Sequence, residues 1–265
     1  MNIFFLHADP ETCADQHCCA HVVKLCNEAL QLLVTALSET QFGGGPIPEG
    51  YFGAECDPLP KPTHRNHPMA LAVRKSRAVF SYAADLGLAL CRRYAEVFSV
   101  PGKPKQRKTA YVELLRRIRA HGLRVPSNEP FSATTTVGRI VLATNTETEP
   151  GTGTEAAVPL CMPPGSMVGT DVVASYRRYF NEEKQHLARW PLAETPAWYT
   201  GPVLAPLKAE QARWAKRSGG VIKAKTKTKT KTKTKARAAV GALLRELDLR
   251  LRLARSESLT LGNRV

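Results

Sequence analysis

One polar stripe on an otherwise apolar helix constrains the fold of this chain more than any other feature. A long helix is predicted over residues 9–39, because Asp9 suits the N-cap and Pro10 the first helical position. From Val22 onward the residues are mostly apolar on every side, which indicates a largely buried helix. Five polar residues nevertheless recur at spacings of 4, 3, 4 and 3, which places them on one stripe of the helix: His17, His21, Lys24, Glu28 and Gln31.

This stripe has two interpretations. Burying ionisable groups without partners is costly, so the stripe needs a satisfied buried network, a wet cleft or a site. The stripe combines two histidines with an amine and a carboxylate, which together form an acid–base set. We therefore predict that His17, His21, Lys24 and Glu28 line a site.

The positive charge of the chain is concentrated near its C-terminus. The formal net charge is +15, and the ten basic residues of 216–237 are accompanied by no acidic residue. The alternating Lys-Thr tract predicts a disordered basic linker over 203–235, with Lys225, Lys229 and Lys233 as contacts to nucleic acid. An amphipathic helix is predicted over 236–258.

The rest of the chain predicts a mainly α-helical, compact domain over 1–202. Further helices are expected at about 69–98, 108–120 and 170–190. Residues 2–6 fit a short buried strand or an extended plug, and 123–168 read as an irregular insertion with one strand candidate at 139–143.

Several classes of protein do not fit the composition. No run of 18 apolar residues is present, so we expect no transmembrane helix and no membrane partner. The first residues lack a basic start and a full apolar core, which argues against a secretory signal. Seven cysteines without a CxxC pair fit a reducing compartment, so we expect a cytoplasmic protein, or a nuclear one in a eukaryotic host.

Histidines could bind a metal at the start of the predicted helix. His17 and His21, four residues apart, could share one ion, with a third ligand from His64 or His67 in the THRNHP segment. Cys13 and Cys18 are further possible ligands, because thiolates also bind zinc. The alternative for His64 and His67 is helix capping and loop hydrogen bonding, and no cofactor is required by any other feature.

Lys24 beside Glu28 suggests covalent chemistry. An amine in a partly dry site loses its proton more easily and becomes a nucleophile, while a neighbouring carboxylate serves as general acid or base. The alternative is an ordinary ion pair between residues four apart on a helix.

Two other groups of residues suggest contacts with nucleic acid. Arg74 and Arg77 could hold phosphate bidentately; the usual alternative for such residues is a solvated helix face. An aromatic and charged set on the fourth helix suits base stacking and phosphate contact, unless its tyrosines belong to the core. This set consists of Tyr176, Arg177, Tyr179 and Lys184.

Four sequence blocks resemble a family of phage- and virus-encoded proteins whose members typically read MNIFxLxxDP and then HCDKHVVKM. The matching blocks here are MNIFFLHADPETCADQHCCAHVVK, THRNHP, SYRRYFNEEKQHLARW and PAWY, within residues 1–100 and 158–200. The pattern is more faintly similar to the pyrimidine-dimer DNA glycosylases of the phage endonuclease V type. That similarity rests on Ala14–His17, Glu183-Lys184 and the Pro196–Tyr199 block.

The fainter resemblance implies a compact helical enzyme in which an amine attacks a deoxyribose carbon, forms a Schiff base and is assisted by a helix carboxylate. His17 matches the helix histidine of those enzymes. Their Arg-Glu pair falls on Val23 and Lys24, so the nearest carboxylate is Glu28, one turn later. The segment HCCAH also lacks the acidic–basic pair of the closer family.

These observations favour a DNA glycosylase/lyase acting on damaged or modified pyrimidines. Lys24 or the N-terminal amine would be the nucleophile, Glu28 the acid/base, and the histidines would orient the substrate. Two alternatives remain open: a metal-dependent nucleotide or phosphoester hydrolase using His17, His21, His64 and Glu28, and a non-catalytic DNA-binding accessory protein. The expected partner is DNA, and no obligate protein partner is inferred.

Overall fold

The computed structural model of the chain describes residues 2–98, 106–143, 153–190 and 195–204. This part of the chain is mostly helical, which confirms the predicted class, with one two-stranded sheet. The helices are α1 (Pro10–Gln16), α2 (Cys19–Gln41), α3 (Pro68–Lys75), α4 (Arg77–Phe98), α5 (Gln106–His121) and α6 (Val172–Glu183). The strands are β1 (Val137–Ala143) and β2 (Gly153–Pro159), and short 3₁₀ turns lie at Ala54–Cys56, Pro164–Ser166 and Gln185–Leu187.

The apolar helix α2 lies at the centre of the core. It packs against α3 and α4, and α4 packs in turn against α1 and α5. The leucines Leu30, Leu33 and Leu37 of α2 are completely buried. Burying apolar area of this kind contributes about 25 cal/mol per Å², so the all-round apolarity of α2 explains its central place.

The single helix predicted over 9–39 is divided into α1 and α2. Its N-terminus is as expected, since the Asp9 carboxylate accepts a hydrogen bond from the Thr12 backbone N–H at 2.7 Å. The backbone is extended at His17 and Cys18, and the Cys19 N–H donates to the carbonyl of Arg189 at 2.9 Å. No proline or glycine marks this break, so a contact distant in sequence decides it.

A second predicted helix, over 69–98, is also divided, into α3 and α4. The backbone at Ser76 is extended, and its hydroxyl accepts a hydrogen bond from the Val79 N–H at 3.3 Å. Ser76 therefore acts as the N-cap of α4, a role that serine commonly fills.

The first residues of the chain run through the core as an extended plug. Ile3, Phe4, Phe5 and Leu6 are all buried and form neither a helix nor a strand. The ring of Phe5 stacks on that of Tyr82 with 5.1 Å between centroids. Of the two structures expected for this segment, the plug is the one observed.

The strand candidate at 139–143 lies within β1, which pairs with β2 in an antiparallel hairpin. The predicted irregular insertion over 123–168 also contains a second strand that the sequence analysis did not predict, β2 at Gly153–Pro159. Alternate residues of β1 are buried, so one face of the hairpin packs against the core. Helix α5 includes the predicted 108–120, whereas α6 is shorter than predicted and ends at Glu183.

The described residues all fall within the first of two units into which the chain divides, Met1–Leu207. The predicted linker over 203–235 lies outside the described residues from 205 onward, and the predicted helix over 236–258 lies wholly outside them. Both remain predictions.

Candidate functional site

Glu28 on α2 is the carboxylate around which the candidate site is built. Its side chain is only 12% exposed, and its Oε1 lies 3.3 Å from the Nζ of Lys24. Its Oε2 accepts a hydrogen bond from the backbone N–H of Asn2 at 3.2 Å. One carboxylate therefore contacts both the helix amine and the start of the chain.

Asn2 is held in place by three separate parts of the fold. Besides the bond from its N–H to Glu28, its Oδ1 accepts a hydrogen bond from the Tyr176 hydroxyl of α6 at 3.2 Å. Its Nδ2 donates to the carbonyl of Cys161 at 3.4 Å. Tyr176 is fully buried, and this burial raises the pKa of its hydroxyl well above the usual value, so it remains a donor. The position of Glu28 is thus coupled to α6.

Lys24 does not lie in the partly dry surroundings that we predicted for it. Its side chain is 70% exposed, because it points outward from the edge of α2, and its only ion pair among the described residues is with Glu28. The ordinary i,i+4 ion pair, which was the alternative, is therefore present. The burial expected to activate the amine is absent in this conformation.

A cleft of about 920 Å³ opens beside this carboxylate. Helix α2 contributes Lys24, Asn27, Glu28 and Gln31 to its lining, so three stripe residues share it. Leu30 of α2 also lines the cleft, and the remaining lining residues come from the 56–63 segment and from α5. Its volume falls within the range of about 300–1,000 Å³ typical of small-molecule sites.

His17 and His21 lie away from solvent, in an aromatic cluster with Phe4 and Phe180. Their side chains are almost completely buried, and their ring centroids are 5.4 Å apart. The ring of Phe4 lies 4.5 Å from that of His21. Since α1 ends before His17, the five stripe residues do not share one helix, although these two histidines remain neighbours. Neither is exposed enough to contact a substrate directly.

Burial makes both imidazoles poor bases. It lowers the pKa of His17 to about 3, and it lowers the pKa of His21 well below the usual value, with nearby positive charge adding to the effect. The Nδ1 atoms of both rings are buried and have no hydrogen-bond partner among the described residues. His17 Nε2 lies 3.8 Å from the Sγ of Cys13. Both rings are therefore neutral at pH 7.

His64 and His67 form local hydrogen bonds, as the alternative interpretation proposed. His67 is the N-cap of α3, and its Nδ1 accepts a hydrogen bond from the Met69 N–H at 3.1 Å. The exposed His64 lies 2.8 Å from the Thr63 hydroxyl through its Nδ1. Burial lowers the pKa of His67, and Glu28 acts on it in the opposite direction, which places His67 near the candidate site.

The residues predicted to hold a metal are not brought together. Across the described ranges, no group of three or more His, Cys, Asp or Glu side chains could hold a metal ion. The histidines of the helix and those of the THRNHP segment are engaged differently: His17 and His21 in the aromatic cluster, His64 and His67 in capping and loop contacts. The predicted ligand set of His17, His21, His64 and His67 is therefore not supported by the geometry.

Arg74 and Arg77 belong to two different helices rather than to one face. Arg74 is buried, and its guanidinium donates to Glu129 at 2.6 Å and to the carbonyl of Arg65 at 2.7 Å. It is therefore a structural anchor and is not free to hold phosphate. Arg77 is exposed and donates to the carbonyl of Arg124.

The aromatic and charged set on α6 is divided between core and surface. Tyr176 is part of the core, and Arg177 donates to the carbonyl of Leu6 at 3.0 Å, so both hold the fold together. Tyr179 is half-buried, and Lys184 lies over its ring at 4.9 Å. The ring of Tyr179 also stacks on that of Phe4, with 6.0 Å between centroids. Of the four residues, only the side chains of Tyr179 and Lys184 form no hydrogen bond with another described residue. The three predicted tail contacts, Lys225, Lys229 and Lys233, lie outside the described residues.

Sequence reasoning missed the residues that complete the site. Asn2, Asn27 and Lys61 carry no sequence pattern that distinguishes them from ordinary surface residues. Sequence reasoning also gave no sign that the indole of Trp190 donates to the carbonyl of Gln16 at 3.0 Å, near the break between α1 and α2. These roles depend on contacts between segments far apart in the chain.

Comparison with known proteins finds no matching family model, no similar curated protein and no similar solved structure. Within the described residues, no helix combines the length and the apolarity needed to cross a membrane. Any functional conclusion therefore depends on the chemistry of the site and on the resemblance of the sequence blocks.

Proposed function

We propose that this protein is a DNA-directed enzyme of the base-excision glycosylase/lyase type, acting on damaged or modified pyrimidines. One observation carries the proposal: the Glu28 carboxylate contacts the Lys24 amine and the start of the chain at the edge of a large cleft. An amine paired with a carboxylate is the combination that Schiff-base chemistry at a sugar carbon requires. The resemblance of the sequence blocks supports the same reaction class.

The proposed reaction begins when an unprotonated amine attacks the anomeric carbon of a deoxyribose and the bond from that carbon to the base breaks. Opening of the sugar ring then gives a Schiff base between the amine and the sugar. Removal of a proton from the neighbouring sugar carbon expels the 3′ phosphate and cleaves the strand. The reaction needs a group that accepts and returns protons beside the amine.

Glu28 fits this proton-transfer role because its carboxylate is largely enclosed but still lines the cleft. With one oxygen on Lys24 and the other on the Asn2 N–H, its orientation is fixed before substrate binds. Such preorganisation is what allows a catalytic group to act without rearranging.

Two amines are candidates for the nucleophile. Lys24 is 3.3 Å from the carboxylate, and its ion pair must break before the amine can attack; Glu28 is placed to accept the proton that is lost. The alternative is the N-terminal amine, which Met1 carries in this sequence. The backbone amide of the next residue, Asn2, donates to the same carboxylate at 3.2 Å, and this contact keeps the N-terminal amine as a second candidate.

DNA would be held by residues outside the cleft lining. Tyr179 and Lys184 present an aromatic ring and a cation together, a combination that suits base stacking and phosphate contact. The exposed Arg77 and the predicted tail contacts add positive charge for the phosphate backbone. The rings of His17 and His21 pack against the plug residue Phe4, so any effect of the two histidines on substrate orientation is indirect.

Borohydride trapping tests the proposal directly. Reduction of a Schiff base links protein and DNA covalently, and peptide mass spectrometry of the adduct identifies the amine that carries the sugar. We expect a trapped adduct on abasic DNA or on DNA with a damaged pyrimidine. The absence of any adduct on every such substrate would contradict the glycosylase/lyase assignment.

Three variants assign the roles. Lys24→Ala should abolish trapping if Lys24 is the nucleophile, whereas Lys61→Ala, which removes another lysine of the same cleft, should leave it intact. Glu28→Gln should slow strand cleavage at least tenfold while changing DNA affinity much less, because general acid–base groups typically contribute about 10²- to 10⁴-fold. Adduct formation by Lys24→Ala would move the nucleophile to the N-terminus or to another lysine.

A further inference from the structure

Among the side chains that the structure describes, the charges that line the cleft cancel. Two lysines, Lys24 and Lys61, are matched by Glu28 and Asp57. The remaining polar lining includes the neutral amides of Asn27 and Gln31. A polyanion gains little from a neutral cleft, whereas an uncharged ligand with polar edges can be bound there without desolvating an unmatched charge.

The same cleft also has apolar walls. Leu30 and Leu114 are buried side chains that contribute to its lining, and Leu59 is added by the 56–63 segment. Proline rings at Pro58 and Pro60 extend this apolar surface. A ligand that matches such a lining has apolar faces and a hydrogen-bonding edge, which are the two properties of a nucleobase.

Gln31 is the lining residue best placed to bind such an edge. Its side chain is half-buried and forms no hydrogen bond with another residue of the described ranges. The amide carries an acceptor oxygen beside a donor nitrogen, and this pair can match an adjacent donor and acceptor on a base. Asn27, four residues earlier, lines the cleft from the same face of α2.

Gln31 follows Glu28 by three residues, which corresponds to about 4.5 Å along the helix axis. A nucleoside bound with its sugar carbon near Glu28 would therefore extend its base along α2 toward Gln31. In this arrangement Glu28 acts on the sugar, and Gln31, on the next turn of the same helix, binds the base.

We propose that Gln31, assisted by Asn27, is a specificity-determining residue that binds the edge of an extrahelical nucleobase in this cleft. The inference rests on the proposed function, since it places the reacting sugar at Glu28. It adds the ligand class that the cleft accepts, an unpaired base rather than a phosphate or a metal ion.

The test compares the affinities of two DNA duplexes for the full-length protein. One duplex carries a single unpaired base, and the other carries a tetrahydrofuran in its place, which has no base and cannot form a Schiff base. We expect Gln31→Leu to weaken binding of the first duplex about fivefold or more, the effect of losing roughly 1 kcal/mol of base contact. Binding of the tetrahydrofuran duplex should remain unchanged.

Two further variants make the result decisive. Gln31→Glu keeps the size of the side chain but removes its donor, so it should lose the same preference if Gln31→Leu does not fold. Asn128→Leu removes an exposed amide outside the cleft and should bind both duplexes like the parent.

An equal change on both duplexes, no change on either, or no DNA binding by the parent would overturn the role of Gln31. Borohydride trapping on the same preparations separates this inference from the proposed function. A base preference that depends on Gln31 but comes without trapping would preserve the cleft assignment and contradict the lyase. If the parent protein is trapped but Gln31→Leu keeps the parent's preference for the unpaired base, the lyase assignment stands and the role of Gln31 is contradicted.

Discussion

At the scale of single residues, burial decides whether a histidine can act as a base. His17 and His21 are neutral because the fold removes them from water. Each imidazole binds a proton in the unfolded chain near its ordinary pKa of 6.5, whereas burial lowers the pKa of His17 to about 3 in the folded protein. The unfolded chain therefore takes up more protons than the folded protein as the pH falls below 6.5, and stability decreases from there toward pH 3.

This difference predicts a pH dependence that the histidine pair controls. Between pH 6.5 and about pH 4, the burial of His17 should reduce the free energy of unfolding by about 1 kcal/mol per pH unit, and the burial of His21 should add to this loss in the same direction. Urea unfolding of the double variant His17→Leu, His21→Leu should show a smaller loss of stability over this range than the parent. The exposed His186 provides the control, since His186→Ala should retain the parent's pH dependence. An unchanged slope in the double variant would mean that the pair is already protonated in the folded protein.

At the scale of elements, helix α6 is attached to the first residues of the chain. Tyr176 donates to Asn2 and lies near the carbonyl of Pro159, while Arg177 donates to Leu6. Because Asn2 also contacts Glu28, the position of α6 helps to orient the carboxylate of α2.

Removing one hydroxyl measures this attachment. Tyr176→Phe should lower the free energy of unfolding by about 1–2 kcal/mol, because Asn2 Oδ1 loses its donor at a buried site. Tyr179→Phe is the matched control: its hydroxyl forms no hydrogen bond within the described residues, so stability should change by less than about 0.5 kcal/mol. Equal effects in urea unfolding would show that the hydrogen bond to Asn2 contributes nothing specific.

At the scale of the whole molecule, most of the positive charge lies in a different part of the sequence from the residues of the candidate site. The described lining of the cleft carries no net charge, whereas ten basic residues occur within 216–237. We therefore propose that the tail provides non-specific DNA affinity and that the cleft provides base recognition. The two contributions differ in their dependence on salt, since only binding to phosphates releases counterions.

Deleting residues 216–265 should weaken DNA binding while the helical domain stays folded. The slope of log affinity against log salt concentration should become shallower by about 0.9 for each phosphate that the shortened protein no longer neutralises. Fluorescence anisotropy at several salt concentrations measures the slope, and thermal unfolding reports on the fold. If the truncated protein keeps the parent's affinity and salt slope, the tail does not bind nucleic acid. A large fall in melting temperature would indicate that the predicted C-terminal helix packs on the domain.

The sequence by itself determined the helical class, the central burial of α2 and the N-cap at Asp9. These features depend on local periodicity and on capping chemistry, which operate within a few residues. The pairing of Lys24 with Glu28 was also accessible, since i,i+4 geometry follows from the helix alone. The same reasoning failed at His17, where the backbone turns extended because the Cys19 N–H donates to Arg189, a residue from the far end of the domain.

Only the tertiary structure decided which polar residues face water, which are enclosed and which meet. It exposed Lys24, enclosed His17 and His21, and used Arg74 as an internal anchor. It also brought Asn2 to Glu28 and placed Gln31 in a cleft with a segment from another part of the chain. The physical reason is that burial and partner choice depend on packing between distant segments, whereas helical periodicity determines only which residues share a face.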